Sequence, residues 1–173
     1  MAIMCFDFDG TLIDSNNIKK HCLKQCLVDY RYMTSKEAEE YAKDFISRSG
    51  ISREEKIFND FKHLRSEELF NIVENYSSRV DAAFREITID DSTRSSIKEL
   101  STDNVCIILS GGRFSEISDI LMRSKMEKYF DSIICSRKPK SYWLSMFKLE
   151  NEVLFFGDSS IDYQSSVAAD VKF

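Results

Sequence analysis

Four short stretches of the chain carry residues able to do chemistry together: Asp7-Phe8-Asp9-Gly10-Thr11, Ser110-Gly111-Gly112, Ser136-Arg137-Lys138-Pro139 and Gly157-Asp158-Ser159-Ser160-Ile161-Asp162. Carboxylates placed side by side repel, and their ionised forms call for a cation. Mg²⁺ is a hard ion that takes oxygen ligands, commonly a carboxylate or two together with water and substrate phosphate. A carboxylate can also attack as a nucleophile and carry a phosphoryl group. A hydroxyl, backbone N–H groups and an ammonium can then hold the phosphoryl oxygens as charge spreads over them in the transition state. Asp7, Asp9, Asp158, Ser110 and Lys138 supply such a set. Lys140 competes with Lys138 for the ammonium role, and the proline that follows Lys138 favours the latter.

Each stretch follows an apolar run, at residues 2–6, 105–109, 133–135 and 153–156. These runs are short, continuous and rich in β-branched or aromatic residues, the pattern of strands buried on both faces. Helical periodicity lies between them, at 92–100, 114–122 and 142–147, with Ile117, Ile120 and Leu121 on one face of the second. Strands alternating with helices predict a parallel sheet covered on both sides. Ligands in such sheets bind outside the carboxyl ends of the strands. All four stretches leave their strands at that end, a coincidence that packing alone does not demand. Four of the five glycines and the single proline also adjoin these runs.

Residues 16–85 read differently. They contain no convincing strand and no proline, and they predict helices at 18–30, 35–47, 52–61 and 66–84. Ser52-x-x-Glu55 is a capping box at a helix start, and Gly50 before it suits a helix end. The segment holds 13 Lys and Arg against 12 Asp and Glu, while the rest of the chain holds 11 against 17. The domain expectation is therefore an acidic α/β core at residues 1–15 and 86–173, interrupted by a near-neutral helical domain at 16–85.

Taken together and in order, Asp7-x-Asp9-Gly10-Thr11, Ser110-Gly111, Lys138-Pro139 and Gly157-Asp158-Ser159-x-x-Asp162 resemble the four motifs of the haloacid dehalogenase superfamily. The resemblance implies an α/β, Rossmann-like parallel sheet core with an inserted α-helical cap domain, similar to the phosphoglycolate phosphatase and β-phosphoglucomutase branch. It implies a Mg²⁺-dependent phosphatase with Asp7 as nucleophile and Asp9 as general acid, then base. Mg²⁺ would be bound by Asp7, the main-chain carbonyl of Asp9 and Asp158, with Asp162 supporting the metal shell. Ser110 and Lys138 would bind phosphate, assisted by Gly111 and Thr11. The segment from Arg48 to Arg53 resembles the cap's specificity loop, where the two arginines would meet an anionic or hydroxylated leaving group. The final run Val171-Lys172-Phe173 resembles the start of another strand, which in that family is usually followed by more chain, so a compact protein and a truncated sequence are both open.

Composition excludes several other classes. With 43% hydrophobic and 31% charged residues the chain is neither a disordered tail nor a membrane protein. A spanning helix needs roughly 20 apolar residues, and the longest uncharged runs are far shorter. The net charge of −5 argues against nucleic acid as the main partner. The start lacks a basic region and is cut by Asp7, so no secretory signal is expected. Five cysteines, an odd number, read as buried thiols in a cytoplasmic protein, with Cys22 and Cys26 as two packed thiols on one helix face. The expected function is hydrolysis of a small phosphorylated metabolite, a sugar phosphate or a phosphoglycolate-like acid. A phosphomutase would pass the phosphoryl group to a second hydroxyl instead of water. A non-catalytic phospho-receiver or binding module would hold it without turnover, although receivers lack a long helical insert after the first strand.

Overall fold

The computed structural model describes residues 1–48 and 51–173. The reading of Gly50 as a helix end, and the middle of the segment from Arg48 to Arg53, lie outside the described residues. In chain order the elements are β1 (Ile3–Phe6), α1 (Asn16–Asp29), α2 (Ser35–Ser47), α3 (Arg53–Asp60), α4 (Ser66–Phe84), α5 (Asp91–Asp103), β2 (Val105–Ser110), α6 (Phe114–Arg123), β3 (Ser132–Cys135), α7 (Lys140–Lys148), β4 (Val153–Phe156) and α8 (Ser160–Ala169). The chain divides into two compact units, one of Met1–Asp14 with Ile87–Phe173 and one of Ser15–Glu86.

The first unit is built on a parallel four-stranded sheet in the order β3-β2-β1-β4. All four residues of β1 are buried, as a central strand flanked on both sides demands. Side chains alternate between the two faces. Ile3, Cys5, Ile107, Leu109, Val153 and Phe155 form one face, where Leu144 of α7 and Ala169 of α8 complete a buried cluster. The register pairs Phe6 with Ile108 and with Phe156, so the carboxyl ends of β1 and β4 lie level and β2 runs two residues further to Ser110. The chain continues from β1 to β2 on one side and returns to β4 on the other, which makes the end of β1 the switch point of the sheet. Beyond β4, Lys172 bridges Leu154 in parallel fashion.

The second unit is helical. Helix α1 packs on α2 and α4, and α3 packs on α4. Ala38 and Ala42, one turn apart on α2, are both fully buried, and their small side chains allow the close approach to α1. Phe45, Ile57 and Tyr76 fill the interior, with Phe45 and Tyr76 edge to face at 5.8 Å. The start of α2 carries a full capping box that the sequence expectations do not include: Thr34 Oγ1 accepts from Glu37 N–H, and Thr34 N–H donates to Glu37 Oε2 at 2.9 Å. At α3 only half of the expected box forms, with Ser52 Oγ accepting from Glu55 N–H at 3.2 Å. Cys22 and Cys26 are both buried in this unit. No helix among the described residues is long and apolar enough to cross a membrane.

Candidate active site

Asp7 follows β1 directly and is tied to the neighbouring strand end by its amide, which donates to Phe156 O at 2.8 Å. The chain then turns tightly: Leu12 N–H returns to Phe8 O and Gly10 N–H donates to Ile13 O at 2.8 Å. Gly10 adopts φ +87°, a conformation that L side chains rarely take, and a methyl group there would collide with the Asp158 carboxylate. Glycine therefore lets this turn press against the carboxylate delivered by β4. Two other glycines give close approaches of the same kind. A methyl on Gly112 would stand 3.2 Å from Ser110 Oγ and 3.5 Å from Asp9 Oδ2, which locates the hydroxyl and the second carboxylate around one point. A methyl on Gly157 would meet Asp162 Cβ at 2.5 Å.

The sheet thus brings together most of the residues singled out above. Asp7, Asp158 and Asp162 each offer a carboxylate oxygen within 4.8 Å of the others. Asp7 is 7% exposed and Asp162 1% exposed, whereas Asp158 is open to solvent. Gly112 N–H donates to Ser110 Oγ at 2.9 Å and so fixes that hydroxyl at the end of β2. Gly111 has open space where a side chain would stand. The hydroxyl oxygen of Thr11 is buried with no hydrogen-bond partner, which suits it to an oxygen ligand.

The two candidate ammonium groups lie in different places. Lys138 is exposed and its Nζ lies over the Tyr142 ring, 3.8 Å from the centroid. Lys140, two residues further on, reaches Asp7 Oδ1 at 2.7 Å and Asp162 Oδ1 at 2.5 Å. The reason lies in the helix start. Pro139 is the N-cap of α7 with φ −60° and extended ψ, so α7 begins at Lys140. The first helical residue therefore carries its side chain to the cluster, while Lys138 stays outside the helix in the preceding turn. Adjacency to the proline favours Lys138, whereas the helix boundary brings Lys140 to the carboxylates.

Asp162, expected to support a metal shell, lies in the carboxylate cluster and is also held by protein donors. Its Oδ1 accepts from Lys140, and its Oδ2 accepts from the Ser159 hydroxyl at 2.6 Å and the Ser159 amide at 3.2 Å. Arg53 sits in the helical unit, where it donates to Ser77 Oγ at 3.2 Å and lies over the Tyr76 ring. Arg48 is engaged by both oxygens of Asp60, at 3.0 and 2.5 Å, and by Asp44.

The electrostatics follow from burial. Loss of water pushes the Asp7 carboxyl up to about 6, although Lys140 pulls it back; Asp162 and Asp9 push it further up. Burial and then Asp162 raise Asp158 as well. An excess of carboxylates over ammonium groups suits a hard divalent cation, and Asp7, Asp158 and Asp162 are clustered closely enough to hold one.

Comparison with known proteins gives the family and the fold. The profile of the haloacid dehalogenase-like hydrolases matches residues 4–173, and the chain belongs to that family. A haloacid dehalogenase-like hydrolase from Streptococcus pneumoniae shares the fold at a TM-score of 0.71 and 21% identity, covering 99% of this chain and 82% of that one. CbbY from Rhodobacter sphaeroides, solved in complex with phosphate, is similar at a TM-score of 0.73 and 16% identity, covering 99% and 84%. A mutant of the same CbbY, solved with xylulose-(1,5)-bisphosphate, is similar at 0.74 and 15% over the same shares. No curated protein matches the sequence.

Proposed function

We propose that the protein is a Mg²⁺-dependent phosphatase that hydrolyses a small phosphorylated metabolite, a sugar phosphate or a phosphoglycolate-like acid, through an aspartyl phosphate on Asp7. The observation that carries this reading is the buried Asp7 carboxylate held at one oxygen by Lys140, at the switch point of the sheet.

Asp7 Oδ2, which Lys140 does not hold, attacks phosphorus, and the bond from phosphorus to the ester oxygen breaks. Asp9 gives its proton to that oxygen, so the leaving group departs as an alcohol. Asp9, now a carboxylate, takes a proton from water as the water oxygen attacks the phosphoryl group on Asp7. The bond from phosphorus to Asp7 Oδ2 breaks, inorganic phosphate leaves, Asp7 is again a carboxylate and Asp9 is again protonated. Ser110, Thr11 and the Gly111 amide bind phosphoryl oxygens, and Lys140 shares its charge between them and Asp7. Mg²⁺ held by Asp7, Asp158 and the Asp9 carbonyl would neutralise charge on the phosphoryl oxygens.

The helical unit serves as the cap that selects the substrate, with Arg53 meeting an anionic or hydroxylated part of it. The protein works in the cytoplasm on a free metabolite, without nucleic acid or membrane; the five free cysteines support that compartment. The test is phosphate release from a panel of phosphorylated metabolites with Mg²⁺ and with excess EDTA. Release that needs Mg²⁺ is expected for at least one sugar phosphate or phosphorylated acid. Transfer to a second hydroxyl without phosphate release would make it a mutase instead, and release undiminished by chelator would end the metal role.

A further inference from the structure

Ser159 has no step in the reaction above, yet its geometry connects it to the reacting carboxylate. Asp162 is 1% exposed, and a carboxylate buried so deeply needs donors for both oxygens. Ser159 supplies one side with its hydroxyl at 2.6 Å and amide at 3.2 Å, and in return its Oγ accepts from Asp162 N–H at 3.1 Å. Asp162 is also pressed against Gly157, where even a methyl group would collide with its Cβ and Cγ. The carboxylate is thus pinned at its base and at one oxygen, and its other oxygen points to Lys140 at 2.5 Å. A lysine ammonium sits on a flexible four-carbon stem and depends on its partners for position.

We propose that Ser159 is a positioning residue: by holding Oδ2 of Asp162 it turns Oδ1 onto Lys140, which keeps the ammonium on Asp7 Oδ1. This rests on the reading of Asp7 as the attacking group. Asp162 then acts on Asp7 through the ammonium.

Ser159 is also the N-cap of α8, so the test must separate the two roles. Glycine is a nearly neutral replacement at an N-cap. Ser159→Gly therefore removes the hydroxyl and keeps the helix start, while Ser159→Thr keeps the hydroxyl. With p-nitrophenyl phosphate, Ser159→Gly is expected to lower kcat about tenfold with KM changed less than about twofold. Ser159→Thr should restore kcat. Mn²⁺ affinity, read by electron paramagnetic resonance on the protein without substrate, should be unchanged in both. In a Lys140→Ala background, Ser159→Gly should have no further effect, because the two act in series. An equal loss with and without Lys140, or a parallel loss of Mn²⁺ affinity, would overturn the proposal. A readout independent of turnover is the ¹⁵Nζ resonance of Lys140, assigned by its loss in Lys140→Arg. It should be protected in the native protein and in Ser159→Thr and broadened in Ser159→Gly. If the native protein proves inactive on every ester, the functional reading fails, and this resonance still decides whether Ser159 positions Lys140; an unchanged resonance in Ser159→Gly refutes it.

Discussion

Lys140 Nζ stands 2.7 Å from Asp7 Oδ1, joining the first residue of α7 to the residue that leaves β1. Lys138, nearer the motif by sequence, is turned onto Tyr142. Removing a preorganised donor from developing oxyanion charge costs about 10²–10³ in rate. Lys140→Ala should therefore lower kcat/KM by that order, while Lys138→Ala should change it less than about threefold. Steady-state kinetics on the two variants checks this; a reversed order would return the role to Lys138.

Burial that raises the Asp7 carboxyl to about 6 means that ionising it costs more in the fold than in the unfolded chain, so at pH 7, where it is largely ionised in both, it lowers stability even with Lys140 beside it. Asparagine has the same shape without the charge. In metal-free protein at pH 7, Asp7→Asn should be more stable than the native protein by on the order of 1–2 kcal/mol, a gain accompanied by loss of activity. Urea unfolding at pH 7 in EDTA measures it. A less stable Asp7→Asn would show that the Lys140 pair outweighs desolvation.

A cation that binds only the folded carboxylate cluster must raise the unfolding temperature. At a concentration about 100 times its dissociation constant the gain is about 2.7 kcal/mol. Mg²⁺ should thus raise the midpoint of thermal unfolding, and Asp158→Asn should weaken that response because Asp158 is one of the three clustered carboxylates. Scanning fluorimetry with and without Mg²⁺ provides the check. An identical shift in Asp158→Asn would remove that residue from the cation site.

Lys56 is a buried ammonium far from this chemistry in sequence. It is 7% exposed, donates to Phe45 O at 2.7 Å and lies over the Phe45 ring. Burial, and then repulsion from Arg48 and Lys19, lower it to about 8, against attraction from Asp60 and Asp44. The folded state therefore binds fewer protons than the unfolded state between pH of about 8 and 10.5. Stability is reduced below pH 8, where Lys56 is charged in both states, and the penalty is relieved as pH rises through that window. The relief should be on the order of 1–3 kcal/mol, and Lys56→Met should lack it. Unfolding of both proteins at about pH 8 and about pH 10 tests this, and equal slopes would refute it.

The sheet was legible because buried parallel strands are written as short continuous apolar runs: Val153–Phe156 matches β4 residue for residue. Asp7, Ser110 and Asp158 were legible for the same reason, since a strand places the residues at its end and just beyond it. Lys140 was not, because its position depends on where α7 starts and not on its distance from Pro139. The link from Ser159 through Asp162 was hidden too, since a capping box reads as a helix start and says nothing of what the second carboxylate oxygen meets. Thr34 is easily overlooked beside Ser35, one residue from the true cap. Lys56 lies in a polar run, where nothing local signals burial.

In the proposed reaction Asp7 is the group that takes the phosphoryl unit. The most direct measurement is phosphate release, with saturating Mg²⁺, by the native protein and by Asp7→Asn on the best ester of the panel. The account predicts turnover in the native protein and a loss of at least about 10³-fold in the variant, with its fold retained by circular dichroism. Phosphate release by Asp7→Asn at the native rate would contradict it.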